Sequence, residues 1–223
     1  MSVLTVGVCE DDSAIRRVLQ RSLEYAEHRS VVAHTGAEAL RMFPGASLDV
    51  IVMDIGLPDA DGRDVVQALK TAGQFAPVLF LTALGAVHDR LSGFAVGAED
   101  YVAKPFDVKE VLARIDVLGQ RGLQPRSPAL ELGFELNPLT HALETTSVTL
   151  RLTPTEFRIL ATIASRPGEV VRRRAVIAAG WPDGAIVADN TLDSFLSRLR
   201  TKLEAAGAPV AIETVRGVGF RLG

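Results

Sequence analysis

The sequence predicts an α/β domain built on a doubly wound, five-stranded parallel sheet, followed by a smaller α+β domain. Three observations carry this. The first half repeats a short apolar run followed by an amphipathic stretch five times. A polar, two-proline break (GLQPRSP, from Gly122) then interrupts the pattern. Beyond it the order changes to short strand-like pieces, helices and a closing hairpin.

Taken in order, the first-half strands are expected at Leu4–Cys9, Ser30–His34, Asp49–Asp54, Pro77–Thr82 and Asp100–Ala103, each rich in Val, Ile or Leu. Between and after them lie helical patterns. The first is carried by Ile15, Val18, Leu19 and Leu23, and the others run over Ala37–Met42, Asp64–Leu69, Val87–Phe94 and Val108–Leu118. A parallel crossover needs a helix to return the chain, so five such repeats imply a sheet covered on both faces. The domains are expected at 1–121 and 130–223, with residues 122–129 as the linker.

In the second half, strand-like pieces are expected at Leu130–Leu136, Ala142–Glu144 and Val148–Arg151. Thr153-Pro154-Thr155-Glu156 reads as a helix start: Thr153 caps, Pro154 occupies the first turn and Glu156 closes a capping box. Phe157, Leu160, Ile163 and Ala164 give that helix its buried face. Further helices are expected at Arg173–Ala179 and Asn190–Ala206, the latter ending at Gly207, and then strands at Val210–Val215 and Gly219–Leu222.

Bulk properties narrow the function classes. With 48% apolar and 23% charged residues over 223 positions, the chain can bury real cores. No apolar run approaches the ~18 residues that span a bilayer, and no basic signal region precedes the first strand, so the expectation is a cytoplasmic protein without membrane contact. Cys9 is the one cysteine, so an intrachain disulfide or a cysteine metal cluster is excluded. The net charge of −3 conceals an asymmetry: residues 1–124 hold 12 Lys+Arg against 17 Asp+Glu, whereas residues 125–223 hold 12 against 10. Basic character is therefore local to the second half.

The chemistry-bearing residues fall at strand ends. Glu10, Asp11 and Asp12 follow the first strand and Asp54 ends the third. If those strands are neighbours, in the order 2-1-3-4-5, the carboxylates converge in the crevice beyond the carboxyl edge of the sheet. Two carboxylates ~4 Å apart repel by roughly 4 kcal/mol at an effective dielectric near 20, so a cation is needed, and an oxygen-only ligand set open to water suits Mg²⁺. Thr82 adds a hydroxyl at the end of strand four and Lys104 an ammonium after strand five. A carboxylate nucleophile, a divalent cation, a hydroxyl and a lysine together suit phosphoryl transfer to Asp54, and Lys104-Pro105 is a candidate cis bond. His28, His34, His88 and His141 share no spacing with these groups and are expected at the surface or in loops; Cys9 is expected to be a small buried residue.

Residues 1–121 resemble the receiver domain of two-component response regulators, through VCEDD at 8–12, DIGLPDADG at 54–62, LTAL at 81–84 and GAEDYVAKPF at 97–106. The resemblance implies that Asp54 is the phosphoacceptor. It further implies that Glu10, Asp11, Asp54 and the main-chain carbonyl of Gly56 hold Mg²⁺, and that Thr82, Tyr101 and Lys104 are the switching residues. Phosphate would then draw Thr82 inward and let Tyr101 turn into the space it leaves. Self-phosphorylation and self-dephosphorylation are the only enzymatic activity expected.

The helix from Asn190 places Leu192, Leu196, Leu199 and Leu203 on one face and Ser194, Ser197, Arg198 and Thr201 roughly opposite, with Arg200 and Lys202 on the flanks. Asn190 is expected as its N-cap. One side packs and the other can enter a major groove, where Arg and Ser suit base edges and phosphates, so Asn190, Ser194, Ser197, Arg198, Arg200, Thr201 and Lys202 are expected to contact DNA. Arg216, at a glycine-bearing turn, suits a phosphate or minor-groove contact. Residues 130–222 resemble the winged-helix effector of the OmpR/PhoB subfamily, through LTPTEFRIL at 152–160, NTLDSFLSRLRTKLE at 190–204 and ETVRGVGFRL at 213–222. That resemblance implies a sensor histidine kinase as phosphodonor, a homodimer formed on phosphorylation, tandem half-sites on double-stranded DNA, and RNA polymerase as a candidate further partner. It implies dimer pairs Arg90 with Glu110 and Asp100 with Arg121. Asn190, Phe195, Ala95 and Asp116 depart from residues common in the subfamily, which leaves the target sequence and the strength of the dimer open. Two other classes also stay open: a Mg²⁺-dependent phosphohydrolase, for which no substrate pocket is legible, and a constitutive DNA binder with an inert first domain.

Overall fold

The computed structural model describes residues 3–83, 100–121, 132–181 and 189–223. The helix expected over Val87–Phe94, the linker at 122–129, and Arg90, His88 and Ala95 lie outside the described residues. Of Arg121 the backbone alone is described.

The first half contains β1 (Thr5–Cys9), α1 (Ser13–Tyr25), β2 (Arg29–Ala33), α2 (Gly36–Met42), β3 (Val50–Asp54), α3 (Gly62–Thr71), β4 (Val78–Ala83), β5 (Asp100–Lys104) and α4 (Val108–Arg121). The sheet is all-parallel in the order β2-β1-β3-β4-β5, with Cys9 opposite Met53 and Asp54 opposite Leu81. Strand periodicity of two sends alternate residues to opposite faces. Val6, Val8, Val50, Val52, Leu79 and Leu81 pack with Leu19 and Leu23 of α1 and Val111, Ile115 and Leu118 of α4. Cys9, Ile51, Met53 and Phe80 pack on the other face with Phe43, just past α2, and with Val65, Val66 and Leu69 of α3. Fully burying each large apolar side chain stabilises the fold by ~1.5–3 kcal/mol, so these two layers fix the register that sets the strand ends.

The second half runs β6 (Glu135–Asn137), β7 (Ala142–Glu144), β8 (Thr149–Arg151), α5 (Pro154–Ala164), β9 (Val171–Arg172), α6 (Arg173–Gly180), α7 (Asp189–Ala205), β10 (Ile212–Val215) and β11 (Gly219–Leu222). Two three-stranded sheets, β6-β7-β8 and β10-β11-β9, flank the helices. Phe157, Leu160 and Ile163 of α5 meet Leu192, Leu196, Leu199 and Leu203 of α7 and Phe220 and Leu222 of β11 in one core. The expected capping box is present at α5, with Thr153 Oγ1 accepting from the Glu156 amide and the Glu156 carboxylate accepting from the Thr153 amide. α7 ends in a Schellman turn: the Ala208 amide reaches Leu203 O and the Gly207 amide reaches Glu204 O, with Gly207 at φ +66°. α7 already includes Asp189, so Asn190 lies inside its first turn rather than at the N-cap. Between β10 and β11 the wing turns through Gly217 at φ +73°.

Candidate functional site

The sheet order delivers the first site. β1 and β3 are neighbours, and their helices return on opposite faces, which leaves a crevice at the carboxyl edge. Glu10, just beyond β1, is fully buried, and Asp54, at the end of β3, is nearly so. One carboxylate oxygen from each of Glu10, Asp11 and Asp54 falls within 4.8 Å of the others. Lys104 ends β5 and bridges the pair: Nζ lies 2.8 Å from Asp54 Oδ2 and 2.8 Å from Glu10 Oε2, and donates to Glu10 Oε1 at 3.0 Å. The Lys104–Pro105 peptide is cis. Burial pushes the Glu10 carboxyl above the ordinary range; the Lys104 hydrogen bond opposes this and the Asp54 charge adds to it. Burial would pull the Lys104 ammonium down, but its hydrogen bonds to Asp54 and Glu10 prevail and hold it above the usual lysine value.

The acidic triplet divides its labour. Asp12 turns away from the crevice to cap α1, Oδ1 accepting from the Ala14 amide at 2.7 Å and the Ile15 amide at 3.1 Å, which lowers its pKa. Arg16, which the sequence did not single out, donates to the carbonyls of Glu10 at 2.8 Å and Asp11 at 2.9 Å and so pins the loop that aims the other two acids. Asp59 caps α2 across the crevice through the Gly36 and Ala37 amides. The Gly56 amide approaches Asp54 Oδ1 at 3.3 Å, and Gly56 is exposed. Thr82 is buried at the end of β4, its hydroxyl 3.5 Å from Ala83 O. The Tyr101 ring stacks on Phe80 at 5.4 Å and packs against the core on that face of the sheet. Cys9 is buried as expected, and burial pushes its thiol well above the ordinary range.

An all-carboxylate set fits a hard divalent cation. Glu10 Oε2 is buried with the Lys104 ammonium 2.8 Å away and accepts no well-aligned hydrogen bond from the described residues, so it retains a lone pair for a metal.

The second site is the outer face of α7. Ser194, Ser197, Arg198 and Thr201 are exposed there, as is Asn190. The Arg198 guanidinium lies 4.3 Å from the Phe195 ring centroid and Nε is 3.4 Å from Glu156 Oε1. Phe195 is half-buried and meets Trp181 edge-on at 5.3 Å, so an aromatic support underlies the arginine. Arg200 and Lys202 are half-buried and each bonds within the chain. Arg200 donates to Ile212 O and Thr214 Oγ1, both at 2.8 Å, tying α7 to the wing. Lys202 donates to Arg151 O and Glu156 Oε2, both at 2.8 Å. Arg216 is exposed at the wing tip.

Of the residues expected to pair across a dimer, Asp100 and Glu110 have a partner within the chain. Arg114 binds both Asp100 and Glu110, the latter at 2.7 Å. Asp116 faces His28, with Oδ1 3.3 Å from Nε2. His28 lies in the loop between α1 and β2, as expected, but is buried there: it is 6% exposed, and Nδ1 accepts from the Leu4 amide at 3.2 Å. His141 lies in the turn between β6 and β7, as expected, with Nε2 3.4 Å from Asp64 Oδ2.

Two family models match the chain: "Response regulator receiver domain" over residues 6–116 and "Transcriptional regulatory protein, C terminal" over residues 147–222. The chain is a two-component response regulator of the OmpR/PhoB subfamily. This regulator is 37% identical over 219 residues to the response regulator MprA of Mycobacterium sp. (strain KMS), covering 96% of this chain and 95% of MprA. It is 34% identical over 223 residues to the transcriptional regulatory protein TcrA of Mycobacterium tuberculosis (strain ATCC 25618 / H37Rv), covering 100% and 88%. The Francisella response regulator 1452 receiver domain superposes on the regulator with a TM-score of 0.50 at 31% identity, over 53% of this chain and 98% of that one. The response regulator thus pairs a receiver with a DNA-binding domain and regulates transcription. Among its described residues, no helix is long and apolar enough to cross a membrane.

Proposed function

We propose that Asp54 accepts a phosphoryl group from a sensor histidine kinase, and that this modification controls dimerisation and sequence-specific binding to tandem DNA half-sites. The observation that carries the reading is the Lys104 ammonium 2.8 Å from both Asp54 Oδ2 and the buried Glu10 Oε2, all at the carboxyl edge of the sheet. An Asp54 carboxylate oxygen attacks phosphorus in line; the new O–P bond forms as the bond to the donor breaks, and the donor nitrogen leaves with the bonding pair. Lys104 and the Thr82 hydroxyl then meet the phosphoryl oxygens. Mg²⁺, held by Glu10, Asp11, Asp54 and the Gly56 carbonyl, supplies charge neutralisation at those oxygens when bound. Tyr101, over Phe80, is the aromatic partner of the Thr82 switch.

The DNA-reading role falls to Asn190, Ser194, Ser197, Arg198 and Thr201 on α7 and Arg216 on the wing, while Arg200 and Lys202 hold that face in position. Residues 1–121 and 130–223 act as the two units. Dimerisation raises apparent affinity because the second recognition helix binds at high effective concentration. For Glu110 and Asp100 to pair with Arg90 and Arg121 of a second copy, Arg114 must release them.

The test is incubation with Mg²⁺ and a small acyl phosphate. A base-labile adduct, absent in Asp54→Ala, is expected, with tighter binding to DNA afterwards. No adduct overturns the phosphoacceptor reading; an adduct with unchanged DNA affinity favours a constitutive DNA binder.

A further inference from the structure

Among the polar side chains on the outer face of α7, one donor is left open. Ser194 and Thr201 turn their hydroxyls back on the helix, donating to Asn190 O at 3.0 Å and to Ser197 O at 3.3 Å. Arg200 bonds to the wing, and Lys202 bonds to Arg151 O and to Glu156 of α5. Arg173, at the start of α6, directs Nη1 to Asp193 at 3.0 Å. Arg198 differs: it is exposed, and among the described residues its contacts are the Phe195 ring and one oxygen of Glu156.

Those two contacts fix the plane and the direction of the guanidinium. Phe195 stands three positions before Arg198, a spacing that puts the two side chains on the same side of a helix. The guanidinium carbon lies 4.3 Å from the ring centroid, within the range of cation–π attraction. The ring is itself held: Phe195 is half-buried against the core of the DNA-binding half and meets Trp181, just past α6, edge-on at 5.3 Å, and Trp181 packs on the same core. Glu156 is 2% exposed and anchored by the Thr153 amide and the Lys202 ammonium, and its Oε1 lies 3.4 Å from Arg198 Nε. With Nε turned to that buried acid, the two Nη groups are the free edge of the planar fork. A cleft lined by Thr155, Glu156, Phe195 and Thr201 opens beside it, so the ring and the acid hold Arg198 without enclosing it.

We propose that Phe195, braced by Trp181, is a positioning residue that presets the Arg198 fork for a guanine base edge, and so helps decide which DNA sequence the regulator prefers. This rests on the reading of α7 as the DNA-reading helix. The Nη1–Nη2 fork matches O6 and N7, the pair of acceptors that guanine presents in the major groove. A free arginine loses rotamer freedom when it is ordered on DNA, whereas a stacked one has less to lose. That gain is realised only on a duplex where the fork meets its guanine. It therefore enters the ratio between right and wrong sequences rather than the affinity for DNA in general. Leucine at position 195 would fill similar space but offer the guanidinium no ring face.

The experiment is selection from a pool of randomised DNA duplexes by the full chain treated with Mg²⁺ and a small acyl phosphate. Affinity is then measured on the selected duplex and on versions with each guanine replaced, at several salt concentrations. Phe195→Leu, Phe195→Tyr, Arg198→Lys and Arg198→Ala are compared with the wild type, and far-UV circular dichroism reports that each is folded; should Phe195→Leu melt, Trp181→Leu removes the brace instead. Phe195→Leu is expected to bind the selected duplex about two- to twelvefold more weakly, and the duplex lacking the critical guanine as the wild type does. Its salt slope is expected to stay unchanged, because no phosphate contact is lost. Phe195→Tyr, which keeps the ring, is expected to keep the preference. Arg198→Lys keeps the charge but not the fork, and is expected to lose the preference for that guanine. Equal weakening on both duplexes in Phe195→Leu, or none, overturns the positioning role. A guanine preference retained in Arg198→Lys overturns the base assignment. Selection unaffected by Arg198→Ala sinks the reading of α7 itself, whereas selection lost there with Phe195→Leu at wild-type affinity sinks the inference alone.

Discussion

Replacing Lys104 with Met removes the one cation that meets both Glu10 and Asp54 among the described residues, and the cost can be worked from the geometry. The ammonium sits 2.8 Å from an oxygen of each acid, and the Glu10 side chain has no exposure to water. Removing one partner of a buried pair costs about 3–5 kcal/mol, because the remaining charge stays desolvated and unpaired. The low end, ~3 kcal/mol, applies because the Lys104 side chain is 20% exposed and water can enter where it leaves. In metal-free buffer the receiver should therefore become ~3 kcal/mol less stable in Lys104→Met. In an Asp54→Asn background the same change should cost about half as much, since one carboxylate is already neutral. Urea titration followed by hydrogen exchange of the β1 and β3 amides measures this, with Trp181 emission as the control for the other half. Added Mg²⁺ should narrow the gap, because a divalent ion replaces the lost cation and stabilises by RT ln(1 + [L]/Kd). A loss below ~1 kcal/mol, or an equal loss with Asp54→Asn, would refute the view that Lys104 balances these two acids.

Three further outcomes are expected. Gly62→Ala places a methyl 2.0 Å from Asp54 O, so the loop must move; a loss at the upper end of the ~1–3 kcal/mol overpacking range and slower adduct formation from an acyl phosphate are expected, read by calorimetry and phosphorylation kinetics. Burial would raise the Glu156 carboxyl, but the Lys202 hydrogen bond and the Thr153 amide outweigh it and depress it. Its stabilisation is thus complete above the unfolded value of about 4.3 and lost as pH falls through the folded value, so acid titration of Trp181 emission should show a shallower stability slope in Glu156→Gln. Arg200→Ala cuts two hydrogen bonds to the wing and should cost about 1 kcal/mol each in the DNA-binding half, while the salt dependence of DNA binding stays near wild type because the guanidinium is engaged by Ile212 O and Thr214 Oγ1.

Much of the fold was legible because it depends on local pattern. The apolar runs of β1, β3 and β4, the Thr153–Glu156 capping box and the Gly207 stop are short-range signals, and each is present where the sequence places it. Convergence of Glu10, Asp11, Asp54 and Lys104 was legible because side-chain position in a parallel sheet follows from strand order and strand ends. Roles that depend on a partner far along the chain were not. Asp12 reads like its two neighbours until it caps α1, and nothing local to Lys202, expected at the DNA, shows that it will pair with Glu156. His28 is the loop residue expected, but its burial beside Asp116 of α4 could not be read locally.

By itself the sequence determined the two folds, the acid and lysine positions of the receiver crevice and the polar outer face of α7, because these follow from periodicity, capping and strand ends. Tertiary structure alone decided which basic residues face solvent on α7 and which serve the wing. It also decided that Arg114 holds Asp100 and Glu110 within the chain, and that Asp64 is buried against Arg158, 94 positions away. The physical reason is that a charged side chain pairs with whatever the fold brings within ~3 Å, and at that separation in space the separation in sequence carries no information.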